Sequence, residues 1–95
     1  MIELYKNALK IWGAEVQIGV FHEEVGELLQ AINKYRRHPS NVNKKLLEQE
    51  IADVYIMIEQ LILIFDLDEG SIGSFKESKL RRLSDRLNTK AEKKS

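Results

Sequence analysis

Five carboxylates are spaced as if to do chemistry: Glu23, Glu24 and Glu27 in one stretch, Glu50 and Asp53 in a second. All five sit inside apolar patterns of helical period, where a charge is expensive. At 3.6 residues per turn, Glu24 and Glu27 are neighbours three apart, and so are Glu50 and Asp53. Each pair therefore projects from one strip of its own helix, and antiparallel packing of the two helices would bring four carboxylates to one point. Like charges at that range repel, and leaving them unpaired away from water costs several kcal/mol each. A hard divalent cation removes that cost. An all-oxygen donor set without His or Cys favours Mg²⁺, with Mn²⁺ as the second choice, over zinc.

An E-E-x-x-E run is also a common solvated helix face, so position around the helix has to decide. With Val20 at zero, the apolar stripe Phe21, Val25, Leu28, Leu29 and Ile32 covers roughly 80° to 180°. Glu24 and Glu27 fall near roughly 40° and −20°, beside the stripe, with Glu23 further out near roughly −60°. In the later helix, Glu50 and Asp53 border an apolar stripe of Leu47, Ile51, Val54, Ile58 and Ile62, expected to be the inner one. The reading is two carboxylate pairs on the shoulders of two apolar faces.

The elements that must hold these pairs follow from the same periodicity. A first helix is expected over 2–12, ended or loosened by Gly13, and a second over 14–37. His38-Pro39-Ser40-Asn41 stops the second, because proline restricts the residue before it and cannot continue the ladder. Asn41 or Asn43 is the expected cap of a third helix over 43–65. Residues 66–73, with two glycines, read as a turn region with room for one short helical turn, and Ser74 as the cap of a fourth helix to about residue 89. Residues 90–95 are expected to fray. No strand pattern or repeat interrupts this order, so the expectation is one all-α domain over 1–95, a four-helix bundle.

Composition narrows the classes. A chain of 95 residues buries only about 60–65% of its unfolded surface, a modest core. Fifteen basic and fifteen acidic residues balance, so neither a nucleic-acid polymer nor a membrane is an expected partner. The balance is uneven along the chain. From Lys76 onward eight basic residues (Lys76, Lys79, Arg81, Arg82, Arg86, Lys90, Lys93, Lys94) face Glu77, Asp85 and Glu92. The absence of cysteine excludes disulfides, thiol nucleophiles and zinc–thiolate sites. The most apolar run, 54–67, is interrupted by Glu59, Gln60 and Asp66, too polar to span a bilayer. With no secretory pattern at the start, a cytoplasmic location is expected.

Glu23-Glu24-x-x-Glu27, followed after a proline loop by Glu50-x-x-Asp53, resembles the signature of the MazG-type all-α nucleoside triphosphate pyrophosphohydrolases. The likeness extends upstream to Trp12-Gly13 and Gln17 and downstream to Lys79, about 8–87 in all. It implies Mg²⁺-dependent hydrolysis of an NTP or dNTP between the α- and β-phosphates, giving a monophosphate and pyrophosphate. It makes Glu24, Glu27, Glu50 and Asp53 the metal ligands and Glu23 an outer helper or water-orienting residue. Physical chemistry is consistent with that transfer. Divalent ions between carboxylates and phosphates reverse the local sign and acidify water, and phosphoryl transfer needs mainly positioning and charge neutralisation.

Cations should then hold the phosphate tail. Lys79 matches a lysine of the family's last helix, and Arg82 lies one turn on along the same face. Leu83 stands where some relatives carry an asparagine. Lys34, Arg36 and Arg37 close the second helix, where cations also suit the helix dipole. Trp12 has two readings, a base-stacking platform or a core anchor between the first two helices. Gln17 points toward Glu24 on the wheel, so its amide could read a base edge. His22 and His38 lack the Glu-x-x-His spacing of di-iron bundles and read as structural or surface residues.

The function expected from these features is nucleotide-pool house-cleaning by a pyrophosphohydrolase. The competing reading is a non-catalytic helical interaction module whose acids bind a structural ion or a basic partner. A homodimer or homotetramer is also expected, because the third helix is apolar nearly all round, with Ala52, Ile56 and Leu63 opposite its inner stripe.

Overall fold

The computed structural model describes residues 1–94, and among these every regular element is a helix. The helices are α1 (Ile2–Trp12), α2 (Ala14–Arg37), α3 (Asn41–Ile64) and α4 (Glu69–Lys94). Of the stretch expected to fray, Ser95 lies outside the described residues, and the rest continues α4.

The junctions explain the boundaries. Gly13 separates α1 from α2 at φ 85°, in the left-handed region that side chains with a Cβ avoid. Pro39 ends α2, and the cap of α3 is Ser40 rather than either asparagine. The Ser40 hydroxyl accepts from the Asn43 backbone N–H at 3.1 Å. Asn43 contributes by donating its side-chain amide to the His38 carbonyl at 2.8 Å, which ties the loop to the first turn of α3. The expected turn over 66–73 is shorter than the sequence suggests. Asp68 supplies the cap: its carboxylate accepts from the Gly70 N–H at 3.0 Å and from the Ser71 hydroxyl at 2.9 Å. These bonds, the Ser71 hydroxyl first, hold Asp68 below its ordinary carboxylate pKa. Gly70 and Gly73 are consequently absorbed into α4, which starts at Glu69 and not at Ser74.

Helices α2 and α3 form an antiparallel hairpin, and α1 packs on both. Tyr5 fixes α1. Its ring is 7% exposed, and its hydroxyl donates to the Glu59 carboxylate at 2.9 Å, which raises the phenol pKa. The expected four-helix bundle is not formed within the chain. α4 packs along none of the other helices, and its side chains are exposed from Glu69 to Lys93. The radius of gyration is accordingly 17.8 Å, against roughly 12 Å for a compact domain of this length.

The hairpin faces differ from expectation too. The buried residues of α3 are Met57 and Gln60, and that of α2 is Gln17. On the wheel of α3, with Leu47 at zero, Met57 and Gln60 lie near roughly −80° and −140°, not on the apolar stripe at about 0–60°. The stripe expected to be the inner one lies to the side, with Ile51 and Ile58 still 37% and 43% exposed. Gln17 and Gln60 therefore share the middle of the hairpin with Met57, and the most apolar stripe of α3 flanks it.

Candidate metal centre

The seam of the hairpin advances in steps of seven. Along α2 it runs Gln17, Glu24, Ala31, interleaved with Val20, Glu27, Lys34; along α3 it runs backward through Gln60, Asp53, Leu46, interleaved with Met57, Glu50, Asn43. Seven residues are nearly two helical turns, so each series returns to the same face. Two observations fix the pairing. The Gln17 side-chain amide donates to the Gln60 side-chain carbonyl across the seam. Ten residues further along α2, Glu27, Ala31 and Lys34 line one cleft with Glu50, Leu46 and Asn43.

Between those points the acids converge. One carboxylate oxygen from each of Glu24, Glu27 and Glu50 lies within 4.8 Å of the others. Glu24 and Glu50 are half-buried, Glu27 is exposed, and one oxygen on each of Glu24 and Glu50 is buried without a hydrogen-bond partner. Glu24 is pushed up to about pH 7 from an ordinary 4.5, first by loss of water around it, then by the charges of Glu27, Asp53 and Glu50. Glu50 is raised for the same leading reason, followed by the charges of Glu27 and Asp53. Asp53 stands beside the three rather than among them. It acts on Glu24 by charge and by a direct carboxyl contact, while remaining exposed itself. Its side chain is one methylene shorter than those of the three glutamates.

The donor chemistry fits a hard cation. Two buried acceptors lack donors, the ligand atoms are all oxygen, and repulsion among the acids would fall if positive charge entered. The adjoining cleft has a volume of about 390 Å³ and is lined by Glu27, Gln30, Ala31, Lys34, Asn43, Leu46 and Glu50. It gives the cluster one mouth with both a cation, Lys34, and amides, Gln30 and Asn43, at its rim. Of these, sequence reasoning weighed Lys34 as a cation and Asn43 only as a cap. The missed signal was the seven-residue step, which leads from Glu27 to Lys34 and from Glu50 to Asn43.

The remaining candidates are dispersed. Glu23 is exposed and lies outside the three-carboxylate group. Gln17 is buried, at 5% exposure, with its amide engaged by Gln60, one step of seven before Glu24 and inside the hairpin. Trp12 is 59% exposed at the end of α1, so it is not a core anchor between α1 and α2. Lys79 and Arg82 sit on α4, exposed, and α4 does not carry them onto the hairpin within the chain. His22 and His38 are both at the surface. Among the described residues, no helix is long and apolar enough to cross a membrane. No protein-family model, curated protein or solved structure matches the chain.

Proposed function

We propose that the chain hydrolyses nucleoside triphosphates, NTP or dNTP, between the α- and β-phosphates with Mg²⁺, or Mn²⁺ in its place. The observation that carries this reading is the convergence of Glu24, Glu27 and Glu50 from antiparallel helices, with unpartnered buried oxygens on two of them. Glu24, Glu27 and Glu50 would hold the cation, and Asp53, in contact with Glu24, would complete the set from its exposed edge. Bound there, a divalent ion supplies neutralisation of phosphate charge and acidification of water.

The protein's own residues do the rest. Lys34, the cation lining the adjoining cleft, would meet the polyphosphate, and the amides of Gln30 and Asn43 would serve its oxygens and the sugar. Glu23, on the exposed flank of the same helix turn as Glu24, is assigned to orienting the attacking water. The α–β position of cleavage comes from the resemblance of the acidic motif and not from any distance. The test is incubation with a panel of NTPs and dNTPs plus Mg²⁺. Pyrophosphate and monophosphate are the expected products; orthophosphate with a diphosphate would overturn the assignment of the cleaved bond.

The other reading, an acidic cluster that only binds an ion or a basic partner, draws on the separation of Lys79 and Arg82 from the acids. Metal binding with no turnover of any nucleotide in the panel would favour it.

A further inference from the structure

Helix α4 changes character along its length. Its large apolar side chains end at Leu87, and beyond that residue only Ala91 is apolar. Cations take over. On the wheel of α4, Arg82, Arg86, Lys90 and Lys93 fall within roughly 80° of one another, on one strip. With Asp85 and Thr89 they line one groove of about 410 Å³. Arg81 stands on another side of the helix and is paired with Glu77 at 2.9 Å. The strip therefore gathers four cations against a single carboxylate. Because α4 packs along none of the other helices, their acids do not run beside it. The balanced total charge, from which no nucleic-acid partner is expected, averages over this separation.

We propose that the C-terminal half of α4 binds double-stranded DNA, lying in the major groove with Arg82, Arg86, Lys90 and Lys93 along one phosphate backbone. Length is the first argument. From Arg82 to Lys93 the helix rises about 16 Å. One strand of a duplex carries a phosphate about every 3.4 Å, so the strip faces about five of them. A lone triphosphate is too short to meet all four cations. The bareness of the helix is the second argument. Its side chains are exposed from Glu69 to Lys93, and a helix roughly 10–12 Å across fits a major groove about 12 Å wide. The deep, narrow major groove of duplex RNA admits no such helix. Third, a helix that rests on a lipid surface needs apolar side chains beside its cations, and Ala91 is all that α4 offers after Leu87. Cations on phosphates carry no sequence information, so binding is expected to be indifferent to base sequence and steeply dependent on salt.

The test uses the full chain and a fluorescein-labelled DNA duplex of about 20 base pairs, read by fluorescence anisotropy in EDTA. Without metal or nucleotide, DNA binding stands or falls separately from the hydrolase reading. Affinity should fall about a hundredfold between about 50 and 200 mM NaCl, from a log–log slope near roughly −3.6, the value for four neutralised phosphates. Arg86→Glu with Lys90→Glu should weaken binding at least about tenfold at the lower salt and reduce the slope by about two. The circular dichroism of the helices should not change. Arg86→Gln with Lys90→Gln should lie between that pair and the wild type. Lys44→Glu with Lys45→Glu makes the same charge change at the start of α3 and should bind like the wild type. Duplex RNA of the same sequence, polyglutamate and phosphatidylserine vesicles should all bind more weakly than the DNA. Absence of binding at the lower salt, an unchanged slope in the α4 variants, or an equal loss in the α3 variant would each overturn the proposal. So would RNA, polyglutamate or vesicles that bind as tightly as the DNA.

Discussion

The hairpin seam and α4 invert the usual rule in opposite directions. The seam places carboxylates and amides between two helices and leaves apolar residues on the flank. α4 exposes Phe75, Leu80, Leu83 and Leu87 and packs along none of the other helices. Each arrangement is costly by itself. Buried like charges repel, and exposed apolar stripes forfeit about 25 cal/mol for every Å² left in water. The difference between the two regions lies in what relieves the cost. The seam lacks positive charge, which an ion can supply. The stripe lacks apolar surface, which only another chain segment can supply. A site and an interface are thus distinguishable by the kind of complement they lack.

The largest expected effect is at the seam. Glu24→Gln, Glu27→Gln and Glu50→Gln should each lower Mg²⁺-dependent hydrolysis by about a hundredfold or more, the scale of losing one preorganised charge-stabilising group. Asp53→Asn should also abolish turnover if it completes the ligand set, and Glu23→Gln should lower kcat with little change in metal affinity. Steady-state kinetics with calorimetric Mn²⁺ titration separates these outcomes. Wild-type turnover in any two of the four ligand variants would remove the metal assignment.

The pH dependence of the metal-free protein is the next measure. Glu24 titrates at about 7 in the folded chain against an ordinary 4.5, so the folded state holds its proton more tightly than the unfolded one. Its contribution to stability is therefore fully present below about 4.5 and is lost as pH rises through about 7. In EDTA the melting temperature should fall between pH 6 and pH 8. Mg²⁺ or Mn²⁺ should restore it at pH 8 and do little at pH 5, where protonated Glu24 competes with the ion. Glu24→Gln should flatten the profile and raise the melting temperature at pH 8, because one charge leaves the cluster. A profile equally steep in that variant would show that another group controls it.

Much of this arrangement was legible in the sequence, for reasons that also mark where legibility ends. Helix number and the positions of Gly13 and Pro39 follow from local backbone rules, so α1 and α2 begin and end where the sequence places them. The two acidic pairs were recognisable because their spacing is set within one helix. Which face turns inward is not a property of one helix. On α3 the more apolar stripe was the natural inner face, yet the seam is built on Glu50, Met57 and Gln60, because the register with α2 is shared with Gln17 and Glu24. The direction of α4 was equally hidden. It depends on the left-handed Asp66 and on the Asp68 cap, and the two glycines suggested a longer turn. Lys79 and Arg82 were placed by helix spacing alone, which says nothing about what their helix touches.

The smallest expected effect tests whether the polar seam is needed for folding or only for the site. Gln17 and Gln60 are both buried and bonded to one another, at the end of the seam away from the cleft. Replacing one, Gln17→Leu or Gln60→Leu, leaves the other amide without its partner and should cost about 1–3 kcal/mol, the desolvation of an unsatisfied group. Replacing both removes donor and acceptor together and adds apolar surface of similar size, so the double variant should return to within about 1 kcal/mol of the wild type. Urea unfolding of the four proteins closes the cycle. A coupling near zero would mean that the Gln17–Gln60 bond contributes nothing to the register of the hairpin. A strong coupling with unchanged metal affinity in the double variant would assign the pair to folding. If the double variant is as stable as the wild type but binds Mn²⁺ more weakly, the amide pair holds α2 and α3 in the register that brings Glu24, Glu27 and Glu50 together. In that case the polar seam is retained for the site, and an apolar seam would have served the fold equally well.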